Sequence, residues 1–159
     1  MAARIAIGLA VLLAGAVYIA TRDVPVGSEG RPVISVEFPA ASEPGSVQTA
    51  TFTITNPGPG RMNSVFLSFA RVGIDPPIVE VGVQHENPNI VSIDPEPEAI
   101  SLEAVVFRFA GLDEGDTMTV SFDLKIPEER GIVANSVTAY PGEDPQRAKG
   151  VRLQTEVGG

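Results

Sequence analysis

Residues 117–126 read TMTVSFDLKI, and apolar and polar side chains alternate through the whole stretch. Met118, Val120, Phe122, Leu124 and Ile126 share one side of an extended chain, and Thr117, Thr119, Ser121, Asp123 and Lys125 share the other. A period of two belongs to a strand with one face in a core and one in water, because successive side chains of a strand point to opposite faces; a helix repeats every 3.6 residues. Residues 47–55 repeat the pattern, with Ala50, Phe52 and Ile54 against Thr49, Thr51, Thr53 and Thr55. Threonine suits the wet face, since its branched Cβ fits the pleat and its hydroxyl meets water. A sheet made of such strands has an apolar face that a second layer must cover.

The rest of the chain from Val33 onward obeys the same logic. Strands are predicted over residues 33–38, 47–55, 65–72, 78–85, 90–93, 117–126, 132–140 and 151–157, and residues 100–109 (ISLEAVVFRF) read as one irregular strand or two. Between them stand breakers: Asn56-Pro57-Gly58-Pro59-Gly60, Asp75-Pro76-Pro77, residues 86–89, the acidic and proline-rich DPEPE of residues 94–98, the turn GLDEGD of residues 111–116, and residues 127–131. Proline removes a ladder donor and glycine takes a positive φ, so pairing cannot run through them. Eight or nine short strands without a helix predict an all-β, immunoglobulin-like antiparallel β-sandwich over residues 33–159, with a closed barrel as the alternative.

The N-terminus differs in kind. After Arg4, the sixteen residues 5–20 carry no charge. A helix of that length spans about 24 Å, against the roughly 20 residues wanted for a full membrane crossing. Two readings stand. Residues 1–22 form a transmembrane signal anchor with Arg4 inside and Tyr18 at the outer interface, or they form a signal peptide cleaved after Ala14-Gly15-Ala16. Both place the remaining chain outside the cytoplasm. Residues 23–32 (DVPVGSEGRP) read as a flexible linker.

Charge and composition exclude several functions. All 20 Asp and Glu residues lie beyond Arg22, and the formal net charge is −9. Phosphate-rich partners would be repelled, so no nucleic acid and no anionic lipid surface is expected at the folded part. The chain has no cysteine, which removes disulfides, thiolate metal sites and a lipidated cysteine. His85 is the only histidine, so there is no His pair for zinc, and the sequence supplies no partners for a relay to a serine; it reads as a strand-end residue. The acids Asp113, Glu114 and Asp116, and likewise Asp94, Glu96 and Glu98, lack the spacing of a helix–loop–helix calcium loop and read as solvated turn acids. Gly58, Gly60 and Gly111 are not succeeded by the lysine and helix of a phosphate loop. No catalytic, cofactor-binding or metal-binding residue is therefore assigned, and the chain is not expected to be an enzyme.

The stretch TFTITNPGPGRMNSVFLSF resembles the opening of the bacterial and archaeal conserved-repeat domain of unknown function that is eleventh in its series, and is similar to the related cell-adhesion-related bacterial domains. The closing half of those families resembles residues 110–140, through Leu112, Gly115, Asp116, Ile126, Pro127, Asn135, Val137 and Thr138. FARVGIDPP departs from the Asp-x-Leu-Pro element that the family often carries after its third strand. The resemblance implies an immunoglobulin-like module of the cell surface or wall, structural or adhesive, without known catalysis. It also marks Asn135 as a buried amide bridging backbone groups between strands.

Two functions are expected of such a chain. One is a membrane-anchored extracytoplasmic module whose sheet edges and loops contact a protein or a surface. The other is an accessory single-span subunit of a larger membrane complex, with Gly8 and Gly15 near one face of the helix as a packing surface. Uncovered edge strands can also pair with a second copy.

Overall fold

The computed structural model describes residues 30–82, 87–101, 105–142 and 144–159. The expected anchor, most of the linker, and His85 lie outside the described residues.

Ten strands form among the described residues: β1 (Val33–Glu37), β2 (Ala41–Ser42), β3 (Val47–Thr55), β4 (Met62–Arg71), β5 (Ile90–Asp94), β6 (Ala99–Ser101), β7 (Val106–Leu112), β8 (Thr117–Lys125), β9 (Gly131–Pro141) and β10 (Lys149–Val157). They make two sheets, one ordered β1-β3-β8-β5 and the other β2-β10-β9-β4-β7-β6. The two threonine-faced strands, β3 and β8, pair antiparallel along their whole length at the centre of the first sheet, from Val47 opposite Lys125 to Thr55 opposite Thr117. Their apolar faces look at the inner faces of β4, β7, β9 and β10, so the architecture is a β-sandwich. The first sheet repeats the A-B-E-D order of immunoglobulin domains, and β10-β9-β4 repeats G-F-C. The strands added beyond β4 come from after β5 in the chain, which sets this sandwich apart from a variable-type domain.

Four phenylalanines tie the sheets together. Phe52 and Phe122 come from the first sheet, Phe69 and Phe107 from the second. They meet edge to face at centroid distances of 5.2–6.0 Å. In this arrangement the positive ring edge meets the negative ring face. Ile54, Leu67, Leu124, Val137 and Leu153 close around them and are fully buried.

Four sequence expectations need correction. The strand count is ten rather than eight or nine: residues 99–112 form two strands, the second of the two readings given for residues 100–109, and the two-residue β2 is too short to show a period. The sandwich is not purely antiparallel: β2 runs parallel to β10. The cause is the break at Pro39, after which the chain leaves the first sheet and joins the second. The turn assigned to residues 111–116 begins only after Leu112. Gly111 stays in β7 because a Cβ there would run into the backbone carbonyl of Met62 on the neighbouring strand. Finally, the strand expected over residues 78–85 does not form among the described residues: Ile78–Gly82 run as bends. Ile78 and Val79 are nonetheless fully buried, and a side chain rather than a strand satisfies their backbone.

The lateral sides of the sandwich differ. On one, β1 and β2 are successive pieces of the same chain, wrapped from one sheet to the other. On the other, β5 and β6 are the last strands of their sheets, joined by residues 95–98. The register also places the two ends of the folded part apart: Val33 lies at the end that holds Thr55 and Thr117, and Val157 at the opposite end beside Gly131.

Candidate interaction surface

The turn acids singled out from the sequence act mainly on the fold. Glu114 Oε2 accepts from the Gly60 amide at 3.0 Å, and Asp113 pairs with Arg61. Both bind the β7–β8 turn to the Pro-Gly turn after β3. Asn56, read from the sequence only as a strand end, is the buried centre of this arrangement. Its Nδ2 donates to the carbonyls of Gly60 and Leu112 at 2.9 and 3.0 Å, and its Oδ1 accepts from the Gly58 amide at 3.0 Å. Gly58 and Gly60 sit at φ +87° and +80°, which glycine adopts without a Cβ penalty. Gly30 rests directly on Asn56, so that a Cβ there would collide with Oδ1. Gly30→Ala is therefore expected to lower stability by about 1–3 kcal/mol, the range for leaving buried polar groups unsatisfied. Chemical denaturation checks this, and an unchanged midpoint would show that the linker end moves freely.

Asn135 holds the segment that the sequence presents as a strand. Its Oδ1 accepts from the amides of Ile78 and Val79 at 2.9 and 2.8 Å. Its Nδ2 donates to the carbonyls of Val79 and Ala70 at 3.0 and 3.3 Å. One side-chain amide thus does for this segment what a neighbouring strand would do; Asn135 is buried, as the resemblance implied, but it bridges β4 to a segment that is not a strand rather than two strands. Asn89 adds a bond from its Nδ2 to the Ile78 carbonyl at 2.7 Å.

The outer face of the first sheet is a grid of hydroxyls. Thr55 and Thr117 bond each other at 2.8 Å. Asp123 lies between them and the far end of the sheet, where it accepts from Ser92 and from Thr49, each at 2.6 Å. These bonds, with that from Ser92 the larger, hold the Asp123 carboxyl below the usual aspartate range. Hydrogen bonds to the charged form are the cause. A carboxyl whose folded pKa is depressed adds stability above its unfolded pKa, and that stability is lost as pH falls through the folded pKa. Titration followed by carbon-13 NMR should show Asp123 titrating below the usual aspartate range, and Ser92→Ala should raise its pKa more than Thr49→Ala. On the outer face of the second sheet, Phe66 and Tyr140 stack at 5.3 Å with planes 10° apart. Partial burial pushes the Tyr140 phenol up.

The open side carries a different character. Val91 on β5 and Ile100 on β6 are 58% and 50% exposed, among the few large apolar side chains left to water. Asp94 at the end of β5, and Glu96 and Glu98 in the connection, stand between them and are exposed. Glu98 pairs with Arg108 of β7 at 3.3 Å; Asp94 and Glu96 have no ion pair among the described residues. The edge of β5 is interrupted by a register shift between Ile90 and Ser92, a bulge of the kind that blunts edges. The edge of β6 has no such shift, and all three of its residues are exposed. Among the described residues no group of three or more His, Cys, Asp or Glu side chains could hold a metal ion, and no helix is long and apolar enough to cross a membrane.

The fold has relatives of known structure. It is similar to the CARDB domain of a Pyrococcus furiosus protein, solved in complex with di-metal ions, at 8% identity and a TM-score of 0.50, over 82% of this chain and 90% of that one. Weaker likenesses are to the PKD domain of an M14-like peptidase from a Thermoplasmatales archaeon and to a conjugative transposon lipoprotein from Bacteroides eggerthii. The first has 14% identity and a TM-score of 0.41, over 80% of this chain and 97% of that one. The second has 8% identity and a TM-score of 0.45, over 79% and 96%. At such identities the CARDB likeness is one of fold, and it agrees with the immunoglobulin-like sandwich read from the strand order. No protein-family model matches the chain, and no curated protein matches it by sequence.

Proposed function

We propose that this chain is a membrane-anchored, extracytoplasmic β-sandwich module that binds another protein or a surface and catalyses nothing, built like the conserved-repeat and cell-adhesion-related domains its sequence resembles. The observation that carries the reading is the open side. Uncovered strand edges and exposed Val91 and Ile100 lie there, with Asp94 and Glu96, which have no ion pair among the described residues. Fold alone does not assign function, so the reading rests on this surface. The uncharged run after Arg4 supplies the anchor. The alternative is an accessory single-span subunit, favoured by the small residues Gly8 and Gly15 in that run.

The test is intact mass and N-terminal sequencing of the native protein after membrane fractionation in mild detergent. An N-terminus at Met1 in the membrane fraction is the expected result, and stable co-purifying membrane subunits would select the accessory-subunit reading. A start at Val17 in the soluble fraction would overturn the anchored readings and leave a secreted sandwich.

A further inference from the structure

We infer that the free edge of β6 is a docking site for an extended, basic segment of a partner protein, which adds to the second sheet as a further strand. This rests on the interaction reading above and names the partner chemistry for it.

Three observations converge on Ala99–Ser101. The strand is last in its sheet, so one row of its backbone donors and acceptors faces away from β7. At three residues it is short, which is one way an edge is protected, but it carries no lysine, no proline and no register shift within the strand. Ile100 stands half exposed on it, ready to cover an apolar side chain of an added strand. Backbone pairing along three residues supplies few bonds, so side chains must contribute.

Charge selects the occupant. Asp94 ends β5 and Glu96 lies in the connection leading into β6, both exposed and without an ion pair among the described residues, while Glu98 is already held by Arg108. An incoming strand meets these carboxylates at its end, so lysine or arginine there is attracted and aspartate or glutamate repelled. A second copy would bring its own Asp94 and Glu96, and the chain as a whole carries −9. Like charge thus disfavours self-pairing at this edge and favours a basic segment with alternating apolar residues.

The experiment uses the full chain in a non-ionic detergent and an acetylated, fluorescently labelled peptide of alternating valine and lysine. Fluorescence anisotropy should show binding that weakens with salt, and the amides of residues 99–101 should exchange more slowly in the complex. Asp94→Asn with Glu96→Gln should weaken binding by roughly three- to tenfold, the effect of two exposed charge pairs. Ile100→Lys keeps the backbone and places a like charge on the edge, and should weaken it at least as much. Both variants must retain the wild-type circular dichroism. Equal binding of an alternating valine–glutamate peptide, or binding untouched by both sets of substitutions, would overturn the inference. So would absence of peptide binding together with concentration-dependent dimers broken by Ile100→Lys, which would give the edge to a second copy. None of these outcomes depends on where the native N-terminus lies, so the inference and the anchored reading fail separately.

Discussion

Replacement of Asn135 by alanine will destabilise the sandwich by about 2–4 kcal/mol, read as a lower urea midpoint with an unchanged slope. The substitution strips the amides of Ile78 and Val79 of their shared acceptor and the carbonyls of Val79 and Ala70 of their donor. The groups of Ile78 and Val79 belong to fully buried residues, as does Asn135 itself, so water cannot replace the side chain there without opening the segment. The loss will therefore be local first. Amide exchange of Ile78 and Val79 should accelerate far more than that of the central strands β3 and β8. Asn135→Asp is the sharper variant. It keeps an acceptor for the two amides but turns the donor into a second oxygen facing two carbonyls. Burial raises the folded pKa of such a carboxyl above its unfolded value. Its protonated form is then favoured in the native state, so the variant should regain stability as pH falls through that folded pKa. An Asn135→Ala protein with the wild-type midpoint and unchanged exchange at Ile78 and Val79 would show that the segment holds itself without the side chain.

The same residue marks where the sequence stops being legible. Residues 49–55 and 117–126 announce their strands because every outward position is polar and every inward one apolar, and the structure pairs the two strands end to end. The segment beginning IVEVGV carries a similar alternation but spends its apolar residues differently. Ile78 and Val79, two neighbours, are both buried, which a paired strand with one wet face does not allow. What decides this is Asn135, far along the chain, and nothing near Ile78 signals it. Asn56 is hidden for a similar reason: Gly60 is a local partner within the same turn, but Leu112 becomes a neighbour only when β4 and β7 pair. Gly111 read as a turn residue because glycine commonly is one, yet its role is to let the Met62 carbonyl approach. The open side was legible in part. The acids of residues 94–98 and the short apolar run after them were plain in the sequence, but only the sheet order shows that both neighbouring strands are edges.

Phe122→Ala should be the most damaging single change in the core, costing about 3–5 kcal/mol. Phe122, like Phe69, touches all three other rings, and it does so at the shorter distances: Phe52 at 5.8 Å, Phe69 at 5.2 Å and Phe107 at 5.2 Å, against 6.0, 5.2 and 5.9 Å for Phe69. Each edge-to-face contact is worth about 0.5–1.5 kcal/mol beyond the area it buries. Truncation therefore removes contacts to both sheets and leaves a void that the rigid strands on either side cannot close. Domains of this size are stable by only about 5–15 kcal/mol, so a large share of the total is at stake. The effect should also differ in kind from that at Asn135. Phe122 lies on β8, paired with β3 on one side and β5 on the other, so its loss should lower the unfolding midpoint for every amide in the sandwich together. Phe122→Leu, which keeps most of the apolar volume, should recover a substantial part of the loss. If Phe122→Ala shifted the midpoint by less than Asn135→Ala, stability would rest on the clamped segment rather than on the ring cluster, and the core would be more plastic than its packing implies.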